Sequence, residues 1–192
     1  GMDAITQLIE SYISRKARPI PRALCIEGLR LALPAVVEAV RDGRSRPARE
    51  AMAHAALLSG LALANSGLGF AHGVAPALGT CCRVPHGLAC AVLLPAALRF
   101  NREAARDDLA ELARRALPDA APGESADAAV DRLIGRIEGI CRQLGIPERL
   151  SALGVRREQI PELVRGSRGS SMSGNPREAP DEQLAAILEA ML

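Results

Sequence analysis

Apolar residues recur at helical spacing along most of the chain, beginning close to its first residue. Between Asp3 and Lys16 they fall on a single stripe, which is typical of an amphipathic helix. The stripe consists of Ile5, Leu8, Ile9, Tyr12 and Ile13. We expect a first helix over these residues. Asp3 is a candidate N-cap, because a short carboxylate side chain can accept hydrogen bonds from first-turn amides.

The same periodicity predicts at least seven helices in all, separated by proline and glycine breaks, with no convincing strand and no internal repeat. Pro34 lies inside the second helix and is expected to kink or split it, because proline lacks an amide hydrogen and clashes with the preceding turn. The further predicted helices run from about Pro19 to Gly43, from Pro47 to Asn65, from the break at residues 66–69 to Gly79, from Pro85 to Asn101, from Arg102 to Leu117, from Ala126 to Leu144, and from Pro180 onward.

A long stretch of the chain is almost free of charge. No residue from Ala51 to Cys82 carries a formal charge, and Arg83 is the only charged residue before Arg99. Such a stretch is a candidate membrane span. However, it is rich in Ala and Gly and contains histidines, hydroxyls and an amide whose transfer into hydrocarbon is costly. We therefore favour helices that are buried on all sides within a helical protein.

Composition favours an all-α fold, which we expect to be a multi-helix bundle. The 192 residues suffice for one domain, placed here over residues 1–192. Aromatic residues amount to only 2% of the chain, and helix-forming Ala and Leu are abundant. The formal net charge of +2 gives no electrostatic footprint for nucleic acid or for an anionic membrane surface. We expect neither as a partner.

The five cysteines are odd in number and form no Cys-x-x-Cys motif, so neither a disulfide framework nor a thiolate zinc site is indicated. The N-terminal segment is amphipathic rather than a signal sequence. We therefore expect a cytoplasmic protein in a reducing environment. The adjacent Cys81 and Cys82 are expected to be reduced and buried.

Four polar residues are candidates for a metal site. Asp3 and Gln7 are one turn apart on one helix face, whereas His72 and His86 are fourteen residues apart. On one straight helix the histidines would be about 21 Å apart, but the glycine and proline between them allow the chain to turn back. Two imidazoles, a carboxylate and another oxygen donor suit a divalent transition metal such as zinc or iron. The alternatives are a helix cap and hydrogen-bonded core histidines, and His54 is expected to be structural or on the surface.

Four segments resemble the C-terminal helical domain of the iron-containing (group III) alcohol dehydrogenase family. Residues 1–10 (GMDAITQLIE) resemble that domain's first helix, and residues 64–73 (ANSGLGFAHG) resemble the motif around its third metal ligand. Residues 84–87 (VPHG), with LP at 94–95, resemble the motif around the fourth ligand. Residues 170–177 (SSMSGNPR), followed by DEQL at 181–184, resemble the family's closing segment. The similarity runs in order over the whole chain.

The resemblance implies a site for iron or zinc at Asp3, Gln7, His72 and His86. In the family the metal polarises the alcohol or carbonyl oxygen during hydride transfer. A preceding α/β domain binds NAD(P), and the nicotinamide carries out the redox chemistry. The resemblance therefore implies the metal-binding domain of an NAD(P)-dependent, iron-type alcohol dehydrogenase-like oxidoreductase.

The chain departs from the family pattern in three respects. It contains no Gly-rich dinucleotide loop after a strand, so NAD(P) would bind only if a separate nucleotide-binding domain is supplied. Gln7 stands where the family has a ligating histidine, and a neutral amide oxygen is a poor ligand for zinc or iron. Pro76 replaces a second histidine one turn after His72 and should kink the local helix. We expect the lone chain to be inactive on alcohols.

Two kinds of function therefore remain open, namely the metal-binding half of an oxidoreductase and a non-catalytic helical module for binding or assembly derived from the same family. The surface that would contact the nucleotide-binding domain is expected to be buried in an interface, since a monomer of this size rarely exposes a large apolar patch. We expect a homodimer, because closed two-fold contacts are the commonest, or a separate nucleotide-binding chain.

Overall fold

Helices make up all of the regular structure, which confirms the predicted all-α class. The computed structural model describes residues 1–192 and contains no strand. Three short 3-10 turns lie at Ser151–Leu153, Arg157–Gln159 and Met172–Gly174. The nine α-helices are α1 (Met2–Ile13), α2 (Pro19–Arg41), α3 (Arg46–Ser66), α4 (Phe70–Cys82), α5 (His86–Asn101), α6 (Arg106–Ala116), α7 (Ala126–Gln143), α8 (Ile160–Gly166) and α9 (Asp181–Ala190).

Helix α1 runs through the interior and is buried on nearly every side. It contacts each of the helices α2 to α6. Every apolar residue of its predicted stripe is at most 4% exposed. Gly28 on α2 allows the two helices to pack closely, because a Cβ atom there would lie 2.7 Å from the side chain of Leu8. The side chains of α1 therefore have fixed positions within the core.

The start of α1 differs from the sequence-based expectation. Gly1 occupies the N-cap position without a side-chain hydrogen bond, and Asp3 lies inside the first turn. The prediction of Asp3 as the N-cap is therefore wrong. Its carboxylate instead accepts a hydrogen bond from Gln7 Nε2 at 3.0 Å. The carboxylate still lies near the positive end of the helix dipole, where a negative charge is favourable.

Two hydrophobic clusters form the interior, and α5 contributes to both. The larger cluster joins α1, α2, α3, α6 and α7, and the smaller one joins α4, α8 and α9. Leu94 and Leu98 of α5 belong to the larger cluster, whereas Cys90 and Leu93 belong to the smaller one. Helices α1 and α4 therefore meet alongside α5, where the two clusters adjoin.

Three internal prolines, Pro34, Pro76 and Pro95, lie in continuous helices. Helix α2 runs unbroken through Pro34 and α4 through Pro76, so the expected split at Pro34 does not occur. The final part of the chain is more helical than predicted, because α8 forms where no helix was expected. Pro161 lies in the first turn of α8, where its missing amide costs no helical hydrogen bond.

The charge-poor stretch is less buried than expected. Leu57 and Leu61 on α3 are 61% and 47% exposed, so the prediction of burial on all sides is wrong for this helix. Cys81 and Cys82 are free thiols but only half-buried, because they lie in the last turn of α4. No single helix is long and apolar enough to cross a membrane, and only α3 with α4, bent by 102° at their break, meets that test as a pair.

Candidate metal centre

Three helices bring four potential metal donors to the place where the two hydrophobic clusters adjoin. Asp3 lies in the first turn of α1, and His72 lies in the first turn of α4. His86 and Cys90 lie one turn apart on the same face of α5. The potential ligand atoms of these four side chains all lie within 4.8 Å of one another.

The reversal of the chain between α4 and α5 brings the two histidines together. Helix α4 ends at Cys82 and is followed by Arg83, whose φ of 56° is left-handed and whose amide donates to the Gly79 carbonyl at 3.1 Å. Pro85 then begins α5 in a new direction. The imidazole centroids of His72 and His86 are 5.4 Å apart. This confirms the prediction that the two rings face each other.

The distances between the donor atoms fit a single divalent cation. Asp3 Oδ1 lies 3.2 Å from His72 Nε2 and 3.5 Å from His86 Nε2. Cys90 Sγ lies 3.6 Å from His86 Nε2. Four ligands placed tetrahedrally at zinc bond lengths would be about 3.3–3.8 Å from one another. These three separations lie within or close to that range.

Gln7 lies beside this cluster, as its spacing from Asp3 predicts. Its Nε2 donates to Asp3 Oδ2, and its Oε1 accepts a hydrogen bond from Ser59 Oγ at 2.8 Å. Both ends of the amide are thus engaged by neighbouring side chains. Ligation by Gln7 stays a prediction, and the contact it makes here fixes the orientation of the Asp3 carboxylate.

Glu10 is a buried partner of the site that the sequence reasoning missed. It is 2% exposed and accepts hydrogen bonds from the backbone amides of Gly69, Ala71 and His72 at 3.1, 2.6 and 3.3 Å. It also lies 2.9 Å from His72 Nδ1. The helical spacing could have revealed it, because Asp3, Gln7 and Glu10 are i, i+4 and i+7 on one helix face.

The charges of the site depend on one another. Burial lowers the pKa of His72, but hydrogen bonds to Asp3, Cys90 and Glu10 outweigh burial and raise that pKa from 6.5 to about 11. The hydrogen bond from His72 holds the pKa of Asp3 below its usual value. In the metal-free chain His72 is therefore an imidazolium between two carboxylates, and the proton on its Nε2 lies where a cation would bind.

Cys90 is the second participant that the sequence reasoning missed. The side chain is fully buried, and burial raises the pKa of its thiol. The sequence feature that could have identified it is its position four residues after His86, one helical turn away. By contrast, His54 is exposed on α3, as expected for a histidine outside the cluster.

The family model for the C-terminal region of Fe-containing alcohol dehydrogenases matches residues 1–192. The chain belongs to this family. The chain is 36% identical over 188 residues to 1,3-propanediol dehydrogenase of Klebsiella pneumoniae. This alignment covers 97% of the chain and 48% of that protein. It is 34% identical over 188 residues to lactaldehyde reductase of Escherichia coli K12, again covering 97% and 48% of the two chains.

Solved structures of the iron-containing alcohol dehydrogenase family have the same fold. The crystal structure of 1,3-propanediol oxidoreductase matches with a TM-score of 0.95 at 34% identity, covering all of this chain and 50% of the other. Sulfoacetaldehyde reductase from Bifidobacterium kashiwanohense, solved in complex with NAD+, matches with a TM-score of 0.88 at 28% identity over 99% of this chain and 48% of its own. The chain thus spans about half the length of the relatives it matches, corresponding to their C-terminal half.

Proposed function

We propose that this chain is the metal-binding, substrate-side half of an NAD(P)-dependent alcohol dehydrogenase-like oxidoreductase. The observation that carries the proposal is the convergence of Asp3, His72 and His86 from three helices, with both imidazole Nε2 atoms within 3.5 Å of one carboxylate oxygen. Two neutral imidazoles and a carboxylate are a suitable donor set for zinc or iron(II).

The bound cation would polarise the oxygen of an alcohol or carbonyl substrate. The chain's own residues would hold that cation in a fixed place. His72 is 4% exposed and held from behind by Glu10, so it forms the rigid side of the site. His86 is 52% exposed, and a substrate oxygen would approach from this open side.

Hydride transfer would need a nucleotide that this all-helical chain does not bind in the family's manner. The relative solved with NAD+ is about twice as long as this chain. We propose that an α/β nucleotide-binding unit, in the same polypeptide or in a separate one, faces the side of the site that carries His86. The chain by itself would then bind a cation but would not oxidise alcohols.

A non-catalytic module derived from the same family is the second candidate. It is favoured by Gln7, which stands at a ligand position of the family and has both amide ends engaged with Ser59 and Asp3. This candidate predicts a chain that keeps the helical fold without binding a cation at the cluster.

Zinc titration of the metal-free chain, followed by calorimetry, distinguishes the two candidates. We expect one ion per chain, with affinity lost in His72→Ala and His86→Ala and unchanged in His54→Ala. The His54 variant is a matched control because this third histidine is exposed and lies outside the cluster. Absence of binding, or equal weakening by all three variants, would favour the non-catalytic module.

A further inference from the structure

Resting on the proposed cation site, we infer that Cys90 is the fourth protein ligand, so that the site is an Asp–His–His–Cys centre with zinc as its preferred ion. The geometry places Cys90 Sγ 3.6 Å from His86 Nε2 and within 4.8 Å of the ligand atoms of Asp3 and His72. The 3.6 Å separation matches that between two ligands around one tetrahedral zinc ion.

Cys90 is held in this position by the fold. It is fully buried on α5, one turn after His86, so both side chains project from one face of the helix. Its sulfur contacts the His86 imidazole at 3.6 Å and also interacts with His72 and Asp3. The sulfur thus lies against the cluster with no competing backbone partner, and the other three donors surround it from α1, α4 and α5.

Gln7 is the competing candidate for the fourth ligand, and its contacts argue against it. Its oxygen already accepts from Ser59, and its nitrogen donates to Asp3 Oδ2. Turning the amide toward a cation would give up both the contact with Ser59 Oγ and the hydrogen bond to Asp3 Oδ2. A neutral amide oxygen is also a weaker donor than a thiolate. Gln7 is therefore a positioning residue that leaves Asp3 Oδ1 free for the ion.

The remaining cysteines show that this arrangement is specific to Cys90. Cys25 is buried in the larger hydrophobic cluster, and Cys141 donates to the Ala91 carbonyl at 3.8 Å. Cys81 and Cys82 are half-buried at the end of α4. None of these four belongs to the group of side chains that could hold an ion.

A thiolate in the ligand set changes which ion the site prefers. Soft sulfur donors favour zinc over iron(II) among the metals that imidazole and carboxylate accept. Binding converts the Cys90 thiol to a thiolate and removes the Nε2 proton of His72, and both protons pass to solvent as the ion enters. The site would therefore be selective for zinc although the family is described by iron.

Cobalt(II) spectroscopy tests the inference directly, because it reports a bound sulfur without requiring activity. The protein is the full chain with Cys81→Ser and Cys82→Ser, which removes the half-buried thiols that could bind cobalt adventitiously. We expect a thiolate-to-cobalt charge-transfer band together with the visible bands of a tetrahedral ion. Adding Cys90→Ser should abolish the charge-transfer band and weaken cobalt binding by about tenfold or more. Cys25→Ser, the matched buried control, and Gln7→Ala should both retain the band.

The other outcomes separate this inference from the proposed function. Visible cobalt bands without the thiolate-to-cobalt charge-transfer band would support the cation site but overturn ligation by Cys90. Absence of any cobalt spectrum would overturn both. If Cys90→Ser fails to fold, X-ray absorption of the zinc-loaded parent chain decides, since a sulfur scatterer at about 2.3 Å is required. A shell of nitrogen and oxygen alone would contradict the inference.

Discussion

Glu10 and His72 are joined by a hydrogen bond from the imidazole Nδ1 at 2.9 Å, in a place where both side chains are almost completely buried. The same carboxylate also accepts from the first amides of α4, the helix that carries His72. One side chain thus fixes the position of the helix and the orientation of the ring. With Nδ1 bound to Glu10, Nε2 is the ring atom directed at Asp3.

Glu10→Gln should weaken zinc binding more than its effect on folding explains. The amide retains one accepting oxygen but presents an N–H group to several donors, so we expect a loss of about 1–3 kcal/mol in unfolding free energy. Loss of the carboxylate behind a ligating imidazole should lower zinc affinity about 10–100-fold. Calorimetry at a temperature where the variant is fully folded measures the second effect.

Glu50→Gln is the matched control for this change, because Glu50 is exposed and pairs only with Arg46. It should leave both zinc affinity and stability close to those of the parent chain. A Glu10→Gln variant that loses stability but keeps its zinc affinity would show that Glu10 supports only the fold.

The metal-free chain should lose stability as pH rises above neutrality. The pKa of His72 is raised from 6.5 to about 11 in the folded chain, so the folded state retains a proton that the unfolded state releases. This contribution is complete below pH 6.5 and declines as pH rises toward 11, by at most about 1.4 kcal/mol per pH unit.

Urea unfolding of the parent chain and of His72→Gln, with a chelator present, tests this prediction. The measurements run from pH 6.5 to about pH 8, which is below the range where ordinary thiols ionise. The difference in unfolding free energy between the two proteins should shrink as pH rises. Parallel pH profiles would contradict a protonated His72 in the folded chain.

Asn175→Ala should destabilise the fold strongly although the residue lies in a loop. Its Oδ1 accepts from the Phe70 amide at 3.1 Å and from Asn101 Nδ2 at 2.9 Å, and its Nδ2 donates back to Asn101 Oδ1 at 2.8 Å. Removing it leaves several buried polar groups unpaired, at a cost of about 2–4 kcal/mol. Asn65→Ala, which removes an exposed hydrogen bond to its own helix, should change stability by about 0.5 kcal/mol or less. Equal effects in denaturant unfolding would refute the role given to Asn175.

The chain should form homodimers through the exposed face of α3. Leu57 and Leu61 are one turn apart on a charge-free part of that helix, and a two-fold contact with a second copy would cover both. Light scattering should give twice the 20.2 kDa chain mass. Leu57→Ser combined with Leu61→Ser should give the monomer mass with unchanged helical circular dichroism. Ile20→Ser, an exposed apolar residue on α2, is the control that should remain dimeric. A monomer mass for the parent chain at every concentration would contradict this prediction.

The sequence predicted the helices and the meeting of His72 with His86 because these depend on local periodicity and on breakers between helices. Helical spacing places Glu10 on the same face as Asp3 and Gln7, but its partners were not predictable, since that carboxylate receives its hydrogen bonds from a segment about sixty residues further along. A carboxylate buried in the interior becomes understandable only once its distant hydrogen-bond donors are known. The same holds for Cys90, whose chemistry depends on donors from two other helices.

The local pattern of apolar and polar residues also could not predict that Leu57 and Leu61 are exposed. A helix without charged residues can be buried against the rest of its own chain or against a second protein chain. Its sequence does not show which of the two packs against each face. Helix α8 was missed for a different reason, because its seven residues are fewer than the roughly 11–18 over which helical periodicity can be recognised.

The ring of donors is closed at one end and open at the other, since exposure falls from 52% at His86 through 33% at Asp3 to 4% at His72. A cation entering the proposed site from solvent would therefore meet His86 before it reached His72. We expect substitution of His86 to change the rate of cation exchange more than substitution of His72 does, and substitution of His72 to change the affinity more.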